Sequence, residues 1–487
     1  MAHGVGRWTR LAGALAAGVL LVPACGGGDD GDDSADTAPA PAPTPEFGSV
    51  PFSDLEQCDP LPNKPEYRCG TVEVPFERAD PSYGTTDIGF AVYPRRDRRA
   101  PSEGAIFMVE GGPGYPSSGT GGTFERLMRP LLEKHDMVLV DQRGQGLSEQ
   151  FDCPDLQAGE GPEFVTVAEC ARRLGDQFIS YRTSAAADDI DSVREALGYE
   201  TIALYGDSYG TFLAQSYAYR HGDRLDALVL DSAYPAFGED PWYPSLPRTG
   251  IRSLGLACDR ASGCEGDAIA RLEEGVETLR EQRRPVIDAV TALIDASGSP
   301  PESYLQLDRA LSDLVDGDPT AWEKLVSPAR VGIRNDDRYQ TAGQWIVSCN
   351  DYPMIWDKHA SEPERRAQLE EAIGEYRQDA FEPFTTREIA YSPGTAYLAC
   401  LTFPPPTDVY EPPVDPETQE PTEAPVLVVS GEMDDITTPS EGRKVASFFP
   451  DSEWYLARNA GHVDALYAPN GPAGTEIREF LADALGE

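Results

Sequence analysis

The sequence is short of positive charge, of histidine and of apolar stretches long enough for a membrane. Forty Lys and Arg stand against 83 Asp and Glu, a formal net charge of −43. A surface that acidic repels phosphate backbones and anionic headgroups, so nucleic acid and a bare lipid surface are excluded as expected partners. Its plainest role is to keep an exposed protein soluble. Only five histidines and no Cys-x-x-Cys occur, which argues against a metal site, and no cofactor is expected. The apolar run at residues 11–22 is too short to cross a bilayer comfortably. What is present is an ordinary globular composition, 40% hydrophobic over 487 residues. That is too much chain for one minimal domain and suits a large domain with an insertion.

The N-terminus reads as targeting rather than structure. Arg7 and Arg10 precede the apolar run, which ends in Val22-Pro23-Ala24-Cys25-Gly26. That ending resembles a bacterial lipobox, in which cleavage before the cysteine leaves its thiol to carry lipid. Residues 1–24 are then a signal peptide, and Cys25 anchors the chain on the outer face of the plasma membrane. The competing expectation is plain secretion with a free Cys25. Residues 25–47, rich in Gly, Asp, Ala and Pro, bury no core and read as a tether. Nine cysteines is an odd number. Assigning Cys25 to lipid leaves eight, and proximity suggests Cys58 with Cys69, Cys153 with Cys170, Cys258 with Cys264, and Cys349 with Cys400. Four disulfides point to an oxidising compartment.

Apolar runs then alternate with helical patterns. Residues 71–76, 88–93, 105–109, 137–140, 201–205 and 227–230 read as strands, and helices are expected at 185–197 and from the Ser208 turn to about 220. Such alternation implies a parallel sheet covered on both faces. Residues 235–422 are helical, charged and Pro-broken, after which strands at 426–429 and 453–456 and a helix at 475–485 resume the sheet pattern. The expected organisation is a core at 48–234 and 423–487 interrupted by a helical cap at 235–422.

Gly206-Asp207-Ser208-Tyr209-Gly210 sits between a strand and a helix. A strained turn there exposes the serine oxygen, and the glycines admit close backbone approach. A serine nucleophile needs a base. His3 lies in the segment expected to be removed, His135 precedes a strand at the wrong sheet edge, His221 ends a helix as a C-terminal cap, and His359 lies in the cap. His462 alone follows the last strand, at the edge where open α/β sheets bind ligands. The orienting acid is expected at Asp434, with its neighbour Asp435 and the strand-end Asp231 as alternatives. The Tyr209 amide and one from Gly111-Gly112 are the expected oxyanion donors.

With Glu110-Gly111-Gly112-Pro113-Gly114, Asp141-Gln142-Arg143-Gly144, the Ser208 motif and Gly431-x-x-Asp434 in this order, the chain resembles the exported tripeptidyl and prolyl aminopeptidase group of α/β hydrolases. Cys349-Asn350-Asp351 belongs to the same likeness. The resemblance implies the α/β-hydrolase fold, a mostly parallel eight-stranded sheet with helices on both faces and a large helical cap inserted before the acid-bearing strand. It also implies release of short N-terminal pieces from peptides through an acyl-enzyme. Two departures stand out. Glu110 occupies the place where prolyl members carry His, which argues against strict proline specificity. The loop Asp434-Asp435-Ile436-Thr437-Thr438-Pro439 is one residue longer than the common form. An aminopeptidase also needs an anion for the substrate ammonium, and Glu110 and Asp351 are the candidates. The alternatives are a carboxylesterase or lipase with the same triad, acting on a small ester, or a non-catalytic binding lipoprotein.

Overall fold

The computed structural model describes residues 55–58, 66–99, 101–159, 163–261, 264–327, 339–392 and 398–486. Cys25, the signal peptide and the tether lie outside these residues. Among the described residues no helix is long and apolar enough to cross a membrane.

The sheet is built from β1 Glu56–Gln57, β2 Arg68–Pro75, β3 Thr85–Tyr93, β4 Ala105–Val109, β5 Asp136–Val140, β6 Ile202–Asp207, β7 Leu225–Asp231, β8 Val426–Gly431 and β9 Ser452–Ala457. Their spatial order is β1-β2-β3-β5-β4-β6-β7-β8-β9. The first three strands and the β3–β5 pairing are antiparallel, and every pairing from β5 to β9 is parallel. The expectation of eight strands falls short by the two-residue edge strand β1, whose register is set beside the Cys58–Cys69 disulfide. Two residues carry no periodicity, so no pattern in the sequence announces such a strand.

β4, β5 and β6 are buried along their whole length, which is why they read as unbroken apolar runs rather than alternating ones. One sheet face packs Phe107, Leu204, Leu228 and Val428 against the helices Thr183–Leu197 and Tyr209–Arg220. The other packs Met108, Tyr205, Val229 and Val429 against Ser117–Met128 and Pro472–Leu485. Between β7 and β8 come eight α-helices among the described residues, from Ser245–Arg260 to Thr386–Ala390. This helical insertion has its own core around Leu272, Leu311, Trp322 and Phe381.

Two motifs of the sequence prove to be architectural. Arg143 is 2% exposed. Its guanidinium takes both Asp189 oxygens at 2.7 and 2.8 Å and donates to the Phe76 and Ser180 carbonyls at 2.9 and 2.8 Å. Asp141 accepts from the Ser118 amide and hydroxyl and from the Leu147 amide. In the insertion, Cys349 is bonded to Cys400, Asn350 donates to the Phe178 and Tyr181 carbonyls, and Asp351 accepts from Thr183. The Cys349-Asn350-Asp351 run therefore fastens the insertion to the segment leading into the helix Thr183–Leu197. The Cys58–Cys69, Cys153–Cys170 and Cys258–Cys264 bonds are present as well.

Asp189→Ala leaves the buried Arg143 charge uncompensated, and a loss of about 3–5 kcal/mol is expected. Urea unfolding of the variant measures it, and a change below about 1 kcal/mol would mean that Arg143 is not the tie described here.

Candidate active site

Ser208 stands between β6 and the helix Tyr209–Arg220 with φ 50° and ψ −122°. A serine holds that backbone conformation only where the surroundings enforce it. Here they do: a Cβ at residue 206 would lie 2.3 Å from the Gly210 carbonyl oxygen, and one at residue 210 would lie 2.3 Å from that of Val109. Two glycines at this spacing are what the tight turn requires. The Ser208 amide is paired with the Asp231 carbonyl at 3.0 Å, tying the turn to β7.

His462 follows β9 and its Nε2 lies 2.9 Å from Ser208 Oγ. Its Nδ1 lies 3.0 and 3.2 Å from the two Asp434 oxygens. Asp434 follows β8, and its Oδ1 accepts from the Ile436 and Thr437 amides at 3.0 and 2.9 Å. The Thr437 hydroxyl donates to Asp434 Oδ2 at 2.9 Å and lies 3.2 Å from His462 Nδ1. Burial pushes the Asp434 carboxyl up, but His462 and the Thr437 donors outweigh it and hold it below the ordinary carboxylate range. Burial pushes the His462 imidazole down, and the Asp434 carboxylate outweighs that to raise it, with smaller contributions from Asp231 and Glu110. The His462 side chain is 14% exposed and that of Asp434 is 0% exposed, so the site opens at the histidine and closes at the acid.

The two other acids lie elsewhere. Asp435 turns into the insertion, where Tyr304 donates to its Oδ2 at 3.3 Å, and burial followed by repulsion from Asp434 pushes it well above the usual range. Asp231 accepts from the Tyr205 hydroxyl at 2.9 Å, and burial pushes it up to about 7. Of the other histidines, His135 is buried just before β5, and His221 ends its helix paired to Asp188 at 2.8 Å. Thr437 is a site residue that pattern reading overlooked. Its only signal is a hydroxyl three residues beyond the acid, the spacing of a local side-chain turn.

Gly111 lies against the nucleophile: a Cβ there would lie 2.7 Å from Ser208 Cβ, so residue 111 supplies room. The Tyr209 amide, at the start of the helix, follows the serine directly. Glu110 is buried, and burial followed by the Glu110 charge pushes the Asp207 carboxyl well above the usual range. Asp351 is occupied at both oxygens: Oδ2 accepts from the Thr183 amide and hydroxyl at 2.6 Å each, and Oδ1 from Tyr410 at 3.3 Å.

A family model described as alpha/beta hydrolase fold matches residues 104–249, and one described as TAP-like protein matches residues 391–485. The chain has the α/β-hydrolase fold, and its last part is similar to TAP-like proteins. It is similar to the serine protease Hip1 of Mycobacterium tuberculosis, 25% identical over 341 residues, which are 60% of this chain and 64% of that protein. It is also similar to the tripeptidyl aminopeptidase of Streptomyces coelicolor, 28% identical over 39% of each chain. The Escherichia coli putative hydrolase YuaR is 27% identical over 35% of this chain and 36% of its own. The chain thus spans less than two thirds of the length of these relatives. Among solved structures, a Mycobacterium smegmatis proline iminopeptidase aligns with 85% of this chain and 99% of its own at 15% identity and a TM-score of 0.39.

Because a neutral His462 is needed to take a proton from Ser208, kcat/KM is expected to fall on acidification, with its midpoint above the ordinary histidine value of about 6.5. Asp434→Asn should lower kcat by roughly 10⁴-fold, whereas Asp231→Asn should leave it within about threefold, because Asp231 makes no hydrogen bond to His462. Steady-state kinetics across pH read both effects, and a fall of similar size in the two variants would move the orienting role away from Asp434.

Proposed function

We propose that the chain is an exported serine aminopeptidase that works through a Ser208–His462–Asp434 triad. The observation that carries this reading is the unbroken run of contacts from Asp434 through His462 to Ser208 at the C-terminal edge of the parallel strands. As Ser208 Oγ attacks the peptide carbonyl, its proton passes to His462 Nε2. The carbonyl oxygen becomes an oxyanion facing the Tyr209 amide and one from the Gly111-Gly112 turn. His462 returns the proton to the leaving amine, whose departure leaves an acyl-enzyme on Ser208. Water then attacks, with His462 taking its proton and handing it back to Ser208, and the acid is released. Asp434 keeps the imidazole in the tautomer that presents Nε2 as acceptor and stabilises the imidazolium.

The similarity to a serine protease and to a tripeptidyl aminopeptidase supports peptides over esters. For the substrate ammonium we assign Glu110, a buried carboxyl whose charge acts on both Asp207 and His462 beside the Ser208 turn. Asp351 is the poorer anchor, because both of its oxygens already accept from the protein and Lys358 lies close enough to offset its charge. Export is supported by four disulfides and by the targeting pattern at residues 1–25, with Cys25 as the lipid-bearing residue.

A free-amine tripeptide anilide should be cleaved far better than its N-acetylated form. Glu110→Gln should raise KM for the free amine by roughly 10- to 100-fold, the worth of a charge-assisted hydrogen bond, and leave the acetylated substrate unaffected. Equal turnover of the two anilides by the unaltered enzyme would overturn the aminopeptidase reading and point to an esterase.

A further inference from the structure

The acid loop after β8 sends three successive residues to three places. The Met433 side chain is buried in the core of the helical insertion, Asp434 meets His462, and the Asp435 side chain returns to the insertion. Asp435 fits against the helix Ser245–Arg260 so closely that a Cβ at residue 250 would lie 2.4 Å from its Oδ2. Arg260 of the insertion meets this loop at Glu432, 2.7 and 3.0 Å from its two oxygens, and reaches Asn459 before the histidine; beside Asp434 itself the loop is met by Ser297, which is fully buried at the end of the helix Ile287–Ala296. Its hydroxyl donates to the Met433 carbonyl at 3.3 Å and accepts from the Asp435 amide at 3.1 Å. Its own carbonyl accepts from the His462 amide at 3.2 Å.

A serine at a helix end is ordinarily satisfied by carbonyls of the preceding turn. Ser297 instead directs its hydroxyl and its carbonyl to the two loops that carry the histidine and its acid. The fit is close on the histidine side as well: a Cβ at residue 461 would lie 2.0 Å from the Ser297 carbonyl oxygen and 2.6 Å from the Pro300 ring. From the sheet side the histidine loop has a separate support, the Val463 amide donating to the Ser232 hydroxyl at 2.8 Å. Tyr304, from the helix Glu302–Val315, adds a second donor to the Met433 carbonyl at 3.2 Å.

We propose that Ser297 is a positioning residue for the hydrolase, through which the helical insertion holds the Asp434 and His462 loops at their working separation. The inference rests on the triad reading above but not on the aminopeptidase reading. A hydroxyl suits the task because it donates and accepts at once. The ionisable groups that act on His462 here are Asp434 from the acid loop, Asp231 at the end of β7 and Glu110 after β4, with Asp435 and Tyr304 facing Asp434 from the insertion side; Gly250, Ser253 and Ser297 carry no charge.

The test uses p-nitrophenyl acetate, which reads the triad without any ammonium site, alongside the tripeptide anilide. Ser297→Ala removes both hydroxyl bonds and keeps the carbonyl bond to His462. It should lower kcat on both substrates by roughly tenfold or more, as small misplacements of catalytic groups do, with KM within about twofold. The acid limb of kcat/KM should also move to lower pH, because a loosened Asp434 raises His462 less. Loss of stability alone lowers the folded fraction and leaves that limb in place. Should Ser297→Ala fail to fold, Tyr304→Phe removes one donor to Met433 at nearly constant volume and should shift kcat and the limb in the same directions. Unchanged kcat and limb in the folded variant overturn the proposal, whatever the melting temperature does. Persistent ester turnover by Ser208→Ala would instead overturn the triad reading, and equal cleavage of the two anilides the aminopeptidase reading alone.

Discussion

Negative charge at the C-terminal edge of the sheet is the constraint on which the site depends. Glu110, Asp207, Asp231, Asp434 and Asp435 are all buried there, around the single imidazole of His462. Ionised together, they would hold the imidazole protonated at neutral pH and leave Ser208 without a base. The fold resolves this by giving donors unequally. Asp434 receives two backbone amides, the Thr437 hydroxyl and the histidine, and it is the acid held low. Asp231 has one phenol, Asp435 one phenol at longer range, and Asp207 faces the Glu110 carboxyl; burial raises each of these three. Environment, and not residue type, selects the acid.

That selection marks the limit of what was legible in the chain. The strand set, the Ser208 turn and the position of His462 after the last strand follow from apolar runs and turn residues, since a fully buried parallel strand writes itself as an unbroken run of Ala, Ile, Leu and Val. The loop 430–435 was equally legible as the place from which an acid reaches the histidine. Asp434 and Asp435 are neighbours of identical chemistry, however, and which one turns to the histidine depends on Ser297, 138 residues away. No local pattern encodes a partner at that distance.

Asp351 illustrates the opposite confusion. An acid in a motif shared with aminopeptidases invites a substrate-binding role, yet its neighbours in the same motif are a disulfide cysteine and an asparagine that donates to two core carbonyls. All three residues do one mechanical job, joining the insertion to the segment before the helix Thr183–Leu197. Arg143 is comparable. A buried guanidinium that gives four of its five N–H donors to two carboxylate and two carbonyl oxygens is fixed inside the protein, out of a substrate's reach.

Among the contacts that hold the insertion to the sheet, which include Arg260 on Glu432 and Ser245 on Glu441, two are unlike in kind. One, at Asn350 and Asp351, lies far along the chain from the acid loop and fixes where the insertion sits. The other, at Ser297 and Tyr304, touches the residues on either side of Asp434 and the backbone of His462. An insertion attached only at the first kind of contact is free to change its helices, and with them the substrate it admits, at no cost to the chemistry. Attachment at the second kind removes that freedom locally: residues around 297–304 answer to the geometry of the acid and the histidine, while helices remote from that turn answer only to the substrate. Variation that alters specificity without loss of turnover should accordingly be tolerated across the outer helices and excluded from the turn that carries Ser297.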